Sequence, residues 1–402
     1  MMLVGRIAIA LFLAIAFILT GAVYAQDIQE LELRIERLEQ KAASTDILSG
    51  MDIGAGATFI IQGTHNANGA NIGYKGNDKT DAAYSIEVTL EKELADNAKA
   101  FMSFETGEGN GVTDDLEVFS NVNHDADNSG GNPAVSQLWY EQEFEPGLIV
   151  TLGKLDATAY LDTNECANDE TSQFLGSIFR NSPVIEFPAN TIGLHLGTVL
   201  TDKLSLDMEI LDGDGDFEQI GDGPFLGAQL NIKPKLFERS GNYRLIFWLN
   251  EAAHTKWNDA SKTKEGTSGF GLSCDQEIRD NVGVFARAGW QEEEAFLNGE
   301  GEAFSLESAY SAGVQLGGNI WGRKDDVLAI AWGIVNPSQD YKQAGGLQAK
   351  NEGHFEIYYN FRASENLSIT PDIQIITNPY GKDAANGSST ITVAGVRAQV
   401  EF

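Results

Sequence analysis

Cysteine is nearly absent from this chain: two residues, Cys166 and Cys274, in 402. An exported chain of this length held by disulfides would carry more, so both are expected to be unpaired. Histidine is scarce at five residues, and these are scattered. With the cysteines far apart, nothing has metal-ligand spacing, so no metal and no other cofactor is expected. Positive charge is short as well. The 27 Lys and Arg stand against 59 Asp and Glu, a formal net charge of -32. Nucleic acid needs a basic footprint and is excluded as a partner. Catalytic signatures are missing: there is no G-x-S-x-G, no H-E-x-x-H and no phosphate loop. His195 has no Ser or Asp fixed beside it by any motif, so the chain does not read as an enzyme. Finally, no apolar run is long enough for a membrane-spanning helix. The longest, Ile7–Leu19, falls short of the roughly 20 residues a span needs.

That run has a different meaning. It follows a basic residue, Arg6, and precedes Val23-Tyr24-Ala25. Residues 1–25 therefore read as a secretory signal peptide cut after Ala25. Residues 26–46 then read as a short amphipathic helix. Ile28, Leu31, Ile35, Leu38 and Ala42 take positions a and d of a coiled coil, and Ile at a with Leu at d favours two strands. A helix this short is marginal alone. It needs partner helices, or else it lies as a solvated helix on the protein's own surface.

From residue 50 to residue 402 the period changes from helical to two. Tyr84, Ile86, Val88 and Leu90 alternate with Ser85, Glu87, Thr89 and Glu91. Phe355, Ile357, Tyr359 and Phe361 alternate with Glu356, Tyr358, Asn360 and Arg362. Successive side chains of a strand point to opposite faces. Sixteen such segments are expected, near 52–63, 81–91, 98–106, 134–144, 148–156, 190–199, 203–211, 225–232, 242–251, 268–278, 281–292, 305–316, 326–335, 353–362, 366–377 and 391–402. The connections alternate between short and long. Two on the short side are longer than the rest, around 233–241 and 317–325. This is the plan of an all-β transmembrane antiparallel barrel of the outer membrane, with an even strand number, short periplasmic turns and long outer loops. A closed barrel leaves no backbone group unpaired in lipid. The apolar parity then faces lipid, and the polar parity faces a lumen. The last strand ends on Phe402, where an aromatic girdle belongs, and the 26–46 helix emerges in the periplasm. A soluble exported all-β protein also alternates and is the competing reading. Two segments fit poorly: 326–335 is apolar on both parities, and Pro371 sits inside 366–377, where it costs a ladder bond.

Two stretches carry a resemblance. "HFEIYYNFRASENLSITPDIQIITNPYG" (354–381) resembles the C-terminal signature of the carbohydrate-selective porin family, with Pro371, Asp372, Gln374, Asn378 and Pro379 at its characteristic positions. "GKLDATAYLDTNECANDETSQFLGSIFRNSPVIEFP" (153–188) is similar to that family's stretch across the third long loop. The resemblance implies a sixteen-stranded barrel and passive diffusion of carbohydrates. Some relatives carry a peptidoglycan-binding domain ahead of the barrel; this chain has only the short helix there.

A barrel of sixteen strands encloses an aqueous channel, and its selectivity depends on charge and hydrogen bonding along the wall. By resemblance to porins the third long loop, 157–189, is the constriction. It brings Asp162, Glu165, Asp169, Glu170 and Glu186 against a single base, Arg180. The inward parity adds Lys99, Arg244, Arg287, Arg362 and Arg397. The expectation is an eyelet with loop acids on one side and wall bases on the other; the plainer alternative is that these charges only keep the wall wet. Trp139, Trp248, Tyr358 and Phe285 on the inward parity, with Tyr160, Phe174 and Phe179 in the loop, are candidates for stacking on sugar, or else rings that pack loop to wall. Residues 107–133 carry six acids and no Lys or Arg. Asp212, Asp214 and Asp216 have the spacing of a calcium loop but lack its closing glutamate. Such acids are expected to share divalent ions with lipopolysaccharide or to gather cations at the mouth. The expected protein is a homotrimeric porin passing sugars and other small polar solutes. The alternatives are a general, cation-preferring porin and an envelope tether acting through the 26–46 helix.

Overall fold

The computed structural model describes residues 50–69, 78–125, 130–218, 221–297, 306–384 and 386–402. The expected signal peptide, 1–25, and the expected helix, 26–46, lie outside the described residues. The strands are β1 (Met51–His65), β2 (Thr80–Ala95), β3 (Ala98–Glu108), β4 (Ala134–Phe144), β5 (Leu148–Leu155), β6 (Thr191–Thr201), β7 (Leu204–Asp212), β8 (Pro224–Ile232), β9 (Lys235–Leu236), β10 (Arg239–Lys256), β11 (Glu265–Arg279), β12 (Val282–Gln291), β13 (Ala295–Leu297), β14 (Leu306–Gly317), β15 (Val327–Pro337), β16 (Glu352–Ser364), β17 (Leu367–Thr377) and β18 (Ile391–Glu401). Set aside the two short pieces β9 and β13, and 16 antiparallel strands remain, each paired with the next. β1 pairs with β18 from Gly56↔Glu401 to His65↔Thr392, which closes the barrel. The backbone N–H of Phe402 adds a bond to Ala55 O at 2.9 Å.

All sixteen expected segments are strands. β10 is longer than its 242–251 pattern, at 18 residues, because it has extra partners at both ends. Its start pairs with β9 (Arg239↔Leu236) and its far end with β13 (His254↔Leu297). Among the described residues no helix is long and apolar enough to cross a membrane; the strands do the crossing.

The alternation sorts the two faces as expected. On β1, Phe59 and Ile61 are exposed, while Thr58, Ile60 and Gln62 point inward and are buried. On β18, Val396 faces out and Arg397 faces in. The buried apolar clusters therefore lie inside the barrel, where long loops fold onto the wall. One joins Phe174, Ile178 and Phe179 of the third long loop to Phe285, Ala329, Ala331 and Tyr358. A second joins Val112, Val118 and Val122 of the second long loop to Ile376, Ile391 and Val393. A third sets Leu161 against Phe225, Ile246 and Trp248.

The two misfitting segments now have physical reasons. β15 is apolar on both parities because both are in apolar surroundings. Trp332 is exposed on the lipid side, and Ala329, Ala331 and Val335 are buried beneath the third loop. Gly333 belongs to that inward face, and a Cβ there would come within 2.6 Å of Ile178 Cδ1. Pro371 faces outward. The β16–β17 ladder lapses between Tyr358↔Asp372 and Phe361↔Ile369 and resumes in the same register, whereas the Pro371↔Val396 pairing on the other side is kept.

Candidate functional site

The third long loop, L3 (residues 156–190), leaves β5 and folds into the lumen. It begins with an Asx cap: Asp156 accepts from Thr158 N and Oγ1, both at 2.8 Å. At Asp162 the backbone turns left-handed, φ 58°, a region that Asp tolerates better than most residues. That turn brings the Asp162 carboxylate to the wall. Oδ1 accepts from Arg287 Nε at 2.9 Å and Oδ2 from Ser182 N at 2.6 Å. Arg287 also donates to Phe179 O, Asp162 O and Ala167 O, at 2.6, 2.9 and 2.7 Å. One guanidinium thus gathers four acceptors from three stretches of L3, and both charges of the pair are 1% exposed. A buried pair is strong only when its remaining hydrogen-bonding capacity is used, and here it is.

Further along, Arg397 donates to Glu170 O and Gln173 O at 2.5 and 2.9 Å. Glu356 accepts from Leu175 N and Gly176 N at 2.7 and 2.9 Å. It thereby takes up N–H groups at the start of the single helical turn Ser177–Arg180. Gln229 accepts from Asp162 N and donates to Tyr160 O. Near the loop's end Glu186 sits 3.0 Å from His254 Nε2, with both residues buried. Burial pushes the Glu186 carboxyl up to about 7, and the His254 hydrogen bond only partly offsets this. L3 is therefore bound to β8, β10, β12, β16 and β18.

The second long loop, L2 (residues 109–133), is held by the same device. Glu352 accepts from Phe119 N at 2.9 Å and Ser120 N at 3.2 Å, and Val122 O accepts from Gln374 Nε2 at 2.8 Å. His124 N donates to Leu175 O, joining L2 to L3.

These contacts relocate the expected eyelet. Arg287, Arg397 and Arg244 are buried. The first two hold L3, and Arg244 pairs with Asp275 at 2.5 Å. Asp162 is enclosed with Arg287. None of the four lines open water. Lys99 pairs with Glu141 at 3.4 Å and Arg362 with Glu401 at 3.0 Å, both near the short-turn end. Arg362 lines a cavity of about 780 Å³ there with Lys324, Glu365 and Glu401. Glu165 is exposed, and Asp169 caps its own turn by accepting from Thr171. Glu170 pairs with Arg180 at 2.7 Å. The aromatic candidates divide in the same way. Phe174, Phe179, Tyr358 and Trp248 are buried in packing, with Phe285, and present no face to a solute. Tyr160 stacks on His195 at 3.8 Å and stays half-buried. Trp139 is half-buried and stacks on Phe101 at 4.9 Å. Cys166 and Cys274 are both free.

One open space lies where L3 meets β1–β3 and the end of β18. A cavity of about 390 Å³ is bounded by Thr58, Ser85, Glu87, Glu105, Asp125, Glu170, Thr171 and Gln399. Glu87 and Glu105 are direct cross-strand partners on β2 and β3, and both are exposed to it. Like charges directly opposite each other are destabilising in a sheet, so the pair marks a wall that faces water. Asp125 of L2 accepts from Ser85 Oγ at 3.0 Å. Burial pushes its carboxyl up to about 7, against the lowering effect of that bond. Sequence reasoning missed Glu87, Glu105 and Asp125. It also missed the loop-holding set Gln229, Glu352, Glu356 and Gln374. The signal for the strand residues was present as polar side chains on the inward parity. Asp125 had none beyond lying in an acidic loop.

The acids Asp212, Asp214 and Asp216 do come together, their ligand atoms within 4.8 Å of one another. Asp212 Oδ2 already accepts from Phe217 N at 3.0 Å.

Comparison with known proteins agrees with the architecture. The profile of the carbohydrate-selective porin, OprB family, matches residues 75–402. An uncharacterized protein of Aquifex aeolicus (strain VF5) is 27% identical over 230 residues, covering 56% of this chain and 59% of that protein's length. The high-pH structure of Pseudomonas putida OprB superposes with a TM-score of 0.74 at 16% identity, covering 90% of this chain and 97% of that one. The outer membrane channel DcaP of Acinetobacter baumannii gives 0.51 at 12% identity, covering 88% and 98%.

Proposed function

This chain belongs to the carbohydrate-selective porin family, OprB, and we propose on that premise that sugars cross the outer membrane through the space between L3 and the β1–β3 wall. The protein is a passive channel for small polar solutes. The observation that carries the proposed route is that Arg287 and Arg397 bind L3, while a cavity beside L3 is bounded by Ser85, Glu87, Glu105, Asp125 and Gln399. These side chains are rich in hydrogen-bond acceptors, and each hydroxyl of a neutral sugar brings a donor to meet one. Four residues along β3 from Glu105, the half-buried Phe101–Trp139 pair supplies an apolar edge for a pyranose face. The test is single-channel conductance in a planar bilayer with maltose or glucose titrated in. Saturable loss of current supports a sugar route, and a current indifferent to both sugars removes it.

A second reading has its own observation. The exposed lining is acidic, with Glu87, Glu105, Asp125 and Glu170 on one cavity. Ion flow through it prefers cations, as in a general porin. A salt-gradient reversal potential of the anion-selective sign would exclude this. Homotrimer assembly, ion sharing with lipopolysaccharide, a signal peptide at 1–25 and a tether role for 26–46 are separate proposals. Crosslinking in native membranes tests the first of these.

A further inference from the structure

The turn between β8 and β10 does more than reverse the chain. The β7–β8 ladder ends at Leu204↔Ile232, and the chain then continues as a small hairpin, β9 paired with the start of β10 through Arg239↔Leu236 and Ser240↔Lys235. Its tip residues Phe237 and Glu238 both have positive φ, 53° and 61°. Such turns are normally filled by Asn and Gly, and a bulky residue there is strained. The ring gains nothing from the barrel in return, since Phe237 is 70% exposed and Leu236 43%. Yet the hairpin is firmly held. Gln276 Nε2 lies within hydrogen-bond reach of Arg239 O and Ser240 O at 3.3 and 3.2 Å, and Arg239 pairs with Glu277 at 2.9 Å and with Asp280. A held, strained hairpin with an unburied aromatic tip is built to meet something outside the barrel.

Two features say what. First, exposed apolar residues lie close together here: Ile232, at the end of the lipid-facing strip of β8, is 40% exposed, and Leu236 follows four residues later. Second, the stretch between Ile232 and Leu236 is basic. Lys233 and Lys235 are exposed, and Lys233 N donates to Lys203 O at 2.8 Å, which brings a third exposed lysine alongside. None of the three forms an ion pair among the described residues, in a chain whose formal net charge is -32. An apolar edge backed by lysines is the pattern of an element lying in a bilayer interface, and lysines there attract anionic headgroups.

We propose that the β8–β10 hairpin is an anchor for anionic phospholipid headgroups in the leaflet facing the short turns. Leu236 and Phe237 enter the interface, and Lys203, Lys233 and Lys235 hold the phosphates. The proposal rests on the outer-membrane placement given above. It is tested with the full chain in two measurements. The first is retention of phosphatidylglycerol against phosphatidylcholine by native mass spectrometry, for wild type and for Lys203→Gln/Lys233→Gln/Lys235→Gln. Selective retention that falls by about tenfold in the variant is expected; equal retention in both proteins overturns the proposal. The second is Phe237→Trp in phosphatidylglycerol vesicles. Its added emission is expected to shift to the blue and be quenched by lipid-borne bromine. An added emission at the water position overturns the insertion. Sugar block of the wild-type current is a separate readout, so failure of the transport reading is told apart from failure of this one.

Discussion

The two sides of the lumen use charge in opposite ways. On the β10–β18 side, Arg287, Arg397 and Glu356 are buried and hydrogen-bonded to L3. On the β2–β3 side, Glu87 and Glu105 face each other and the open cavity. One set of charges therefore fixes the loop in place, and the other faces the open cavity. A charged residue on the inward parity belongs to either class, and burial decides which.

The largest expected effect comes from moving a residue out of the first class. Arg287→Met leaves Asp162 buried without its partner, a loss of about 3–5 kcal/mol for such pairs. L3 is expected to leave the wall, with single-channel conductance rising severalfold and becoming noisy. Conductance and noise equal to wild type would mean that the clamp does not fix L3. Glu356→Ala is expected to act in the same direction with less force. It leaves Leu175 N and Gly176 N unsatisfied, at about 1–3 kcal/mol per buried group. Protease sensitivity of L3 in the folded barrel measures this one, and no rise in cleavage would count against it.

Changes on the open side should leave stability alone. Glu87→Gln/Glu105→Gln removes a like-charge pair and is expected to move the reversal potential toward zero while leaving thermal unfolding unchanged or slightly higher. If cation preference survives intact, the acids do not line the ion path. A smaller effect follows from Asp125. Its carboxyl titrates at about 7, so it is neutral at pH 6 and ionised at pH 8. Cation preference is expected to rise over that interval in wild type and to rise less in Asp125→Asn. A wild-type preference that falls over the same interval contradicts the assignment. Smallest of all, Pro371→Thr restores a ladder donor on the lipid face. It is expected to raise the unfolding midpoint by no more than a net hydrogen bond, about 1 kcal/mol, with conductance unaffected.

The barrel was legible because lipid and lumen impose a period of two, and all sixteen expected segments are strands, although β15 is apolar on both parities. β15 shows where that rule needed the tertiary structure: its second apolar face answers to Ile178 and Phe179, a loop far away in sequence. The site was legible only in part. Parity put Arg287, Arg397 and Tyr358 inside the barrel, but parity does not say whether a loop covers them. Asp162 and Arg287 are 125 positions apart, and nothing local connects them. The fold of L2 against Ile376, Ile391 and Val393 was hidden for the same reason.

The seam between β1 and β18 also has a kinetic side. Gly56 pairs with Glu401, so the first strand finds its neighbour only after every strand between them exists. Contacts of such long sequence separation are slow to form. Until then the sheet has two open edges, each able to pair with another chain. The unclosed barrel is therefore the most aggregation-prone species on its folding route. A chain on its way to the membrane must be shielded along those two edges until the seam is made.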